Sequence, residues 1–261
     1  MQNYIDDKSA NNAQIAYNLC KKDYTYEELV AEFETGNIIK KQLCILNLPE
    51  LKTQEDAEKL VFNLTGQDGR IREATAYKIN ELIRNNLYKR FFQTNTVKER
   101  FIKGITDVNP TICRFVIDSL EYIDDKEYII NALAEQISAV MAEIEGYDKL
   151  VKKHVLNKKI FKIYWSLEAL ISTVGREFSR QNLPSMENGK WKMENYFSFD
   201  VVGLKPDLLS IAMRAAGFPD YTIREKAYRL LLTLKNIQNS NTIEQLIQQL
   251  ENDENFYVKL R

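Results

Sequence analysis

One histidine, three cysteines and a few adjacent carboxylates are all that this chain of 261 residues offers for the commonest catalytic chemistry. His154 excludes a paired-histidine metal site and leaves any serine or cysteine nucleophile a single possible imidazole base. Cys20, Cys44 and Cys113 all lie far from it in sequence. Lys152 and Lys153 beside it favour its neutral form, and a solvated histidine at a loop or helix end is the simpler reading. Asp6-Asp7 and Asp124-Asp125 are better explained as a solvated terminus and a helix start than as an acid/base pair. No Gly-x-x-x-x-Gly-Lys loop is present to cradle phosphates. The expectation is a protein with no catalytic constellation, no metal ligand set and no cofactor, hence not an enzyme.

Binding chemistry is a different matter. Net charge is −1, which gives no global attraction to nucleic acid or acidic membranes. The charge is uneven, however: the first 60 residues carry an acidic excess of roughly four, and 146–192 a basic excess of about six. Lys149, Lys152, Lys153, Lys158, Lys159 and Lys162 supply most of the latter, next to Trp191, Tyr196, Phe197 and Phe199. Cations beside aromatics could take an acidic peptide, or phosphate backbones and stacked bases. The competing reading is a solvated helix face beside a loop whose aromatics fold back onto the protein.

The elements that would carry these side chains read as helices. Hydrophobic residues at 44% and charged residues at 28% are globular values. Nine glycines and five prolines suit long helices with short turns better than a sheet protein. The odd cysteines sit in apolar helical pattern and read as buried free thiols of a reducing compartment. Residues 1–7 have neither a basic start nor an apolar run, and no stretch reaches the ~18 apolar residues of a spanning helix. The expected location is the cytoplasm, without membrane contact.

Capping-box spacing marks helix starts at Thr25 with Glu28, Thr53 with Asp56, Thr96 with Glu99, Thr222 with Glu225 and Thr242 with Gln245. Read from these, residues 1–24 form a tail and a short capping helix around Asn11–Cys20. Helical hairpins then follow at 25–34 with 37–48, 54–65 with 68–84, and 96–105 with 109–122, the last opened by Asn109-Pro110. A fourth, irregular unit has a helix over 125–145, a break at Gly146, a basic stretch through Lys162 and an apolar run over 163–178. Residues 181–205, with Pro184, Gly189 and Gly203, read as a loop insertion. A fifth hairpin spans 206–216 with 220–237, and a sixth begins at 242–251.

The second helices repeat one another. Placing Ile71-Arg72-Glu73 on Ile223-Arg224-Glu225 puts Thr75 on Ala227, Ile79 on Leu231 and Leu82 on Leu234, in register for three turns. A cap, a β-branched residue followed by Arg, a small residue and a later Leu or Ile resemble the second helix of a HEAT repeat. The resemblance covers 25–261 and implies a right-handed α-solenoid of about six hairpins; the alternative is an irregular all-α bundle. It further implies an interaction scaffold whose second helices line a concave face for a protein partner, possibly acidic. HEAT repeats resemble one another in an Asp six residues before an Arg, pairing between neighbouring units. Here the pair is divided: Arg72 and Arg224 hold one position, Asp107 and Asp253 the other. The resemblance thus implies bridges from Arg72 to Asp107 and from Arg224 to Asp253. Exposed pairs of Arg72 with Asp68 and Arg224 with Asp220 are the competing arrangement. A nucleic-acid-binding array similar to the DNA-alkylation-repair glycosylases is the second functional expectation. The chain departs from that group in its near-neutral charge, and Ala169 rather than a carboxylate stands one turn beyond Trp165.

Overall fold

Helix starts are fixed by side chains that satisfy the amides no intrahelical carbonyl can reach. The computed structural model of the chain describes residues 24–146, 152–181, 185–187, 190–192, 207–237 and 240–259. The capping helix expected around Asn11–Cys20 and most of the 181–205 insertion lie outside these residues. Thr25 opens α1 (Tyr26–Thr35) with a reciprocal box: its hydroxyl accepts from Glu28 N, and Glu28 Oε2 accepts from Thr25 N at 2.7 Å. Asn37 caps α2 (Ile38–Leu46). Thr53 and Asp56 form the second box, at α3 (Gln54–Phe62), which tightens into a 3₁₀ turn over Asn63–Thr65. Asp68 accepts from Arg70 N and Ile71 N to start α4 (Gly69–Ile83).

Between α4 and the next expected helix the chain forms α5 (Asn86–Lys89) and a 3₁₀ turn, Arg90–Phe92, which the sequence pattern did not announce. Then come α6 (Asn95–Gly104) and α7 (Pro110–Ser119), the latter capped by Asn109 and followed by a 3₁₀ turn at Leu120–Tyr122. Asp125 caps α8 (Lys126–Glu145). The basic stretch and the apolar run that follows it are one helix, α9 (Lys153–Gln181), not two segments. Lysine is a good helix former at exposed positions, while Ile163, Leu167, Leu170 and Val174 are buried. The expected insertion contains an antiparallel ribbon, β1 (Ser185–Glu187) with β2 (Lys190–Lys192). The remaining described elements are helical: α10 (Leu208–Ala216), α11 (Tyr221–Ile237), α12 (Asn241–Glu251) and α13 (Phe256–Lys259).

Three of the expected capping boxes do not form, because in each case the helix begins before the threonine. Thr94 accepts from Val97 N, which places Thr96 inside α6. Asp220 Oδ1 captures both the amide and the hydroxyl of Thr222, drawing that residue into the first turn of α11. Ser240 is the N-cap of α12, so Thr242 also lies within its helix.

The chain divides into two compact units, one ending at Asp124 and one beginning at Asp125. In the first, α1, α3 and α6 neighbour one another in sequence order, and α2, α4 and α7 do the same. Tyr26 stitches the first row: its hydroxyl donates to Asp56 Oδ2 at 2.7 Å and accepts from Lys52 N at 3.0 Å. Burial and the Asp56 carboxylate hold that phenol well above its ordinary pKa. Asn80, buried on α4, donates to the Phe115 carbonyl and to Ser119 Oγ on α7. Gly104 lets α6 close on its neighbours, because a Cβ there would stand 2.9 Å from Leu64 Cδ2. In the second unit, α8, α10 and α12 form one row and α9, α11 and α13 the other. The apolar positions that the repeat brings into register, Ile71 with Ile223, Ile79 with Leu231 and Leu82 with Leu234, are all buried.

Thr53→Ala should cost about 1 kcal/mol, since it removes an N-cap whose partner Asp56 also anchors Tyr26. Urea denaturation followed by far-ultraviolet circular dichroism measures this, with Thr96→Ala expected to change stability by less than about 0.5 kcal/mol.

Candidate interaction surface

Each unit carries the same guanidinium clamp at its turns. Arg72 Nε lies 2.5 Å from Asp107 Oδ2 and its Nη2 lies 3.3 Å from Oδ1, while Nη1 donates to the carbonyls of Gly66 and Gln67 at 3.0 and 2.8 Å. In the second unit Arg224 Nε and Nη2 meet Asp253 Oδ2 and Oδ1 at 2.7 and 3.0 Å, and Nη1 donates to the carbonyls of Phe218 and Pro219. The two aspartates also accept the amides of Asn109 and Asn255, respectively, at 2.8 Å. All four charged side chains are largely shielded. The competing intrahelical pairs do not form, because Asp68 and Asp220 cap their helices instead. The hydrogen bond from Arg224 holds the Asp253 carboxyl below its usual range, against the opposing effect of burial, and the same bond raises Arg224.

A further charge cluster joins α9 to α11. Glu168 Oε2 receives Lys226 Nζ and Arg229 Nη1, each at 2.8 Å, and Lys226 also lies 3.1 Å from Glu225 Oε2. The Lys226 ammonium stands 4.5 Å from the centre of the Tyr164 ring. Burial opposes the charge on Glu168, yet hydrogen bonds and attraction from Lys226 and Arg229 hold its carboxyl below the ordinary range. Burial likewise opposes the charge on Lys226, but Glu168 and Glu225 raise it overall.

In the first unit the matching face is open. A cleft of about 390 Å³ is lined by Gln42 and Leu46 of α2, Arg70, Glu73, Ala74 and Tyr77 of α4, and Thr111 and Phe115 of α7. Tyr77, 47% exposed, meets Phe115 edge-to-face with ring centroids 5.7 Å apart. The repeat register sets Lys226 and Arg229 where α4 has Ala74 and Tyr77. That substitution of a short side chain for a long paired one was the sequence signal for both the cleft and the charge cluster.

Of the expected partner-binding lysines, Lys153, Lys158 and Lys162 are exposed on α9, and Lys152 is exposed immediately before it. Lys158 and Lys162 are one turn apart and share a face. Lys159 is directed elsewhere and bridges to Glu143 of α8. The side chain of Trp191 lies outside the description; its backbone pairs with Met186 in the ribbon. His154 is exposed. Cys44 and Cys113 are buried free thiols, and burial together with the Asp107 carboxylate pushes Cys113 up to about 12. Such a thiol is no nucleophile at neutral pH. Among the described residues no group of His, Cys, Asp and Glu could hold a metal ion, and no helix is long and apolar enough to cross a membrane.

Fold and surface together define an all-α protein whose two units share one helix order and one clamp. No protein-family model matches the chain, and no curated protein is detectably similar to it.

Proposed function

We propose that this protein is a non-enzymatic interaction scaffold of the cytoplasm, built as a HEAT-like α-solenoid and binding protein partners through its row of second helices. The atom-for-atom recurrence of the Arg72–Asp107 clamp at Arg224–Asp253, with each unit's second helices side by side, carries this reading. Such clamps fix the rotation between the hairpins they join and so keep the second helices side by side within each unit. A scaffold of this kind recognises its partners by surface chemistry. Among the described residues, no carboxylate pairs with exposed Lys152, Lys153, Lys158 or Lys162. An acidic protein segment fits that face, and the net charge of −1 favours it over the long polyanion of a nucleic acid.

Changing Lys153, Lys158 and Lys162 to Glu should weaken binding to poly-glutamate at least about tenfold, because the charges reverse at an exposed surface. Stability should move by less than about 0.5 kcal/mol. Fluorescence anisotropy with labelled poly-glutamate, beside a single-stranded oligonucleotide of equal charge, measures both alternatives. Unchanged poly-glutamate binding by the variant overturns the lysine face. Tighter, steeply salt-dependent binding of the oligonucleotide favours a nucleic-acid array instead.

A further inference from the structure

One small residue, Ala74, stands among the walls of the first unit's cleft. In the second unit the same position on α11 holds Lys226, which fills the space toward α9 and ties itself to Glu168. On α4 that position is Ala74, whose methyl group leaves Leu46, Tyr77 and Phe115 as partly apolar walls around an unfilled volume. About 390 Å³ falls within the range of clefts that accept a large side chain with its flanking backbone. Tyr77 is held by its edge-to-face contact with Phe115 and so presents a preformed aromatic wall.

The rim supplies charge discrimination. Arg70 is 55% exposed, and among the described residues its ion contact is a long 4.0 Å approach to Asp68, a carboxylate already capping α4. Its guanidinium is thus available to a carboxylate from outside. Glu73, three residues further along the same helix, lines the cleft as an exposed residue and accepts from Asn109 Nδ2 at 3.3 Å. A ligand crowded with carboxylates would meet repulsion at Glu73, whereas one carboxylate beside an apolar group satisfies Arg70 and fills the cavity.

From this geometry we infer that the cleft between α2, α4 and α7 is a docking site for a short segment of a partner protein in which a large apolar or aromatic side chain is flanked by a single Asp or Glu. The inference rests on the scaffold reading above and assigns that surface its partner class. The side chain enters between Leu46, Ala74, Tyr77 and Phe115, and the carboxylate pairs with Arg70. This specificity differs from that of the Lys158 and Lys162 face, which favours runs of acidic residues.

Selection of a displayed random-peptide library on the full chain tests the assignment. The expected result is enrichment of peptides with an aromatic or large aliphatic residue next to one acidic residue. Their affinity, read by fluorescence anisotropy, should fall at least about tenfold in Arg70→Glu and again in Ala74→Leu. Because Ala74→Leu fills a buried position and could perturb folding, the exposed Arg70→Glu carries the decision, with circular dichroism confirming that each variant remains helical. Absence of enriched peptides, a basic consensus, or unchanged binding by Arg70→Glu overturns the docking site. Peptides that depend on Lys158 and Lys162 instead overturn the cleft while leaving the scaffold reading standing. An oligonucleotide that binds the wild type and loses binding in Arg70→Glu, without any enriched peptide, overturns both.

Discussion

Arg72→Ala is expected to destabilise the first unit by on the order of 2–3 kcal/mol, and Arg224→Ala the second by a similar amount. Each guanidinium spends four hydrogen bonds at one turn: two on an aspartate of the following hairpin and two on carbonyls of its own. Truncation strands a carboxylate that is only 7% exposed at Asp107 and 10% at Asp253, and the cost of that stranded charge exceeds the net value of the pair. Arg72→Lys restores charge without the planar two-pronged geometry, so it should recover less than half of the loss. A double-mutant cycle with Asp107→Asn isolates the clamp, because Asn at 107 keeps an oxygen for the Asn109 amide while losing the charge. Urea midpoints within about 0.5 kcal/mol of wild type for both Arg72→Ala and Arg224→Ala would reduce the clamps to ordinary surface pairs.

Much of this framework was legible because it is written locally. Asn109-Pro110, the boxes at Thr25 and Thr53, and the apolar stripe of α4 each need only a few neighbouring residues to be read. Thr96, Thr222 and Thr242 misled for the same reason: a three-residue pattern does not show that Thr94, Asp220 or Ser240 has already claimed the helix start. The continuous helix α9 was hidden by its change of composition, since the exposed lysines before Lys162 and the buried residues after it are two environments along one element. The cleft and the Glu168 cluster depend on lateral neighbours. Gln42 and Leu46 come from a different helix than Ala74 and Tyr77, and Glu168 lies some 60 residues before its partners. Only the comparison of Ala74 with Lys226 in the repeat register carried a trace of either.

That cluster sets the second large effect. Lys226→Met should cost the second unit on the order of 2–3 kcal/mol at neutral pH, because it removes a buried cation that meets both Glu168 and Glu225. Arg229 remains against Glu168 and limits the damage, but it is one-third exposed and does not reach the position over Tyr164. The dependence on pH has a definite sign. Glu168 titrates below its ordinary value in the fold, so its contribution is complete above the unfolded carboxyl range and is lost as pH falls through the folded value. Lys226 titrates above its ordinary value, so its contribution is complete below the unfolded ammonium range and is lost as pH rises through the folded value. Both charges are in place at neutral pH, and the acid limb belongs to Glu168. Wild type should therefore lose more stability than Lys226→Met between neutral pH and about pH 3, and the gap between the two proteins should narrow as Glu168 is protonated. Pairing Lys226→Met with Glu168→Gln should recover part of the neutral-pH loss, since an amide in that site no longer carries a charge that has lost one of its two cations. Urea denaturation of wild type and the two variants at neutral and acid pH, followed by circular dichroism, reads all of these differences. A gap between wild type and Lys226→Met that stays constant across the acid range would show that the ammonium contributes packing rather than charge.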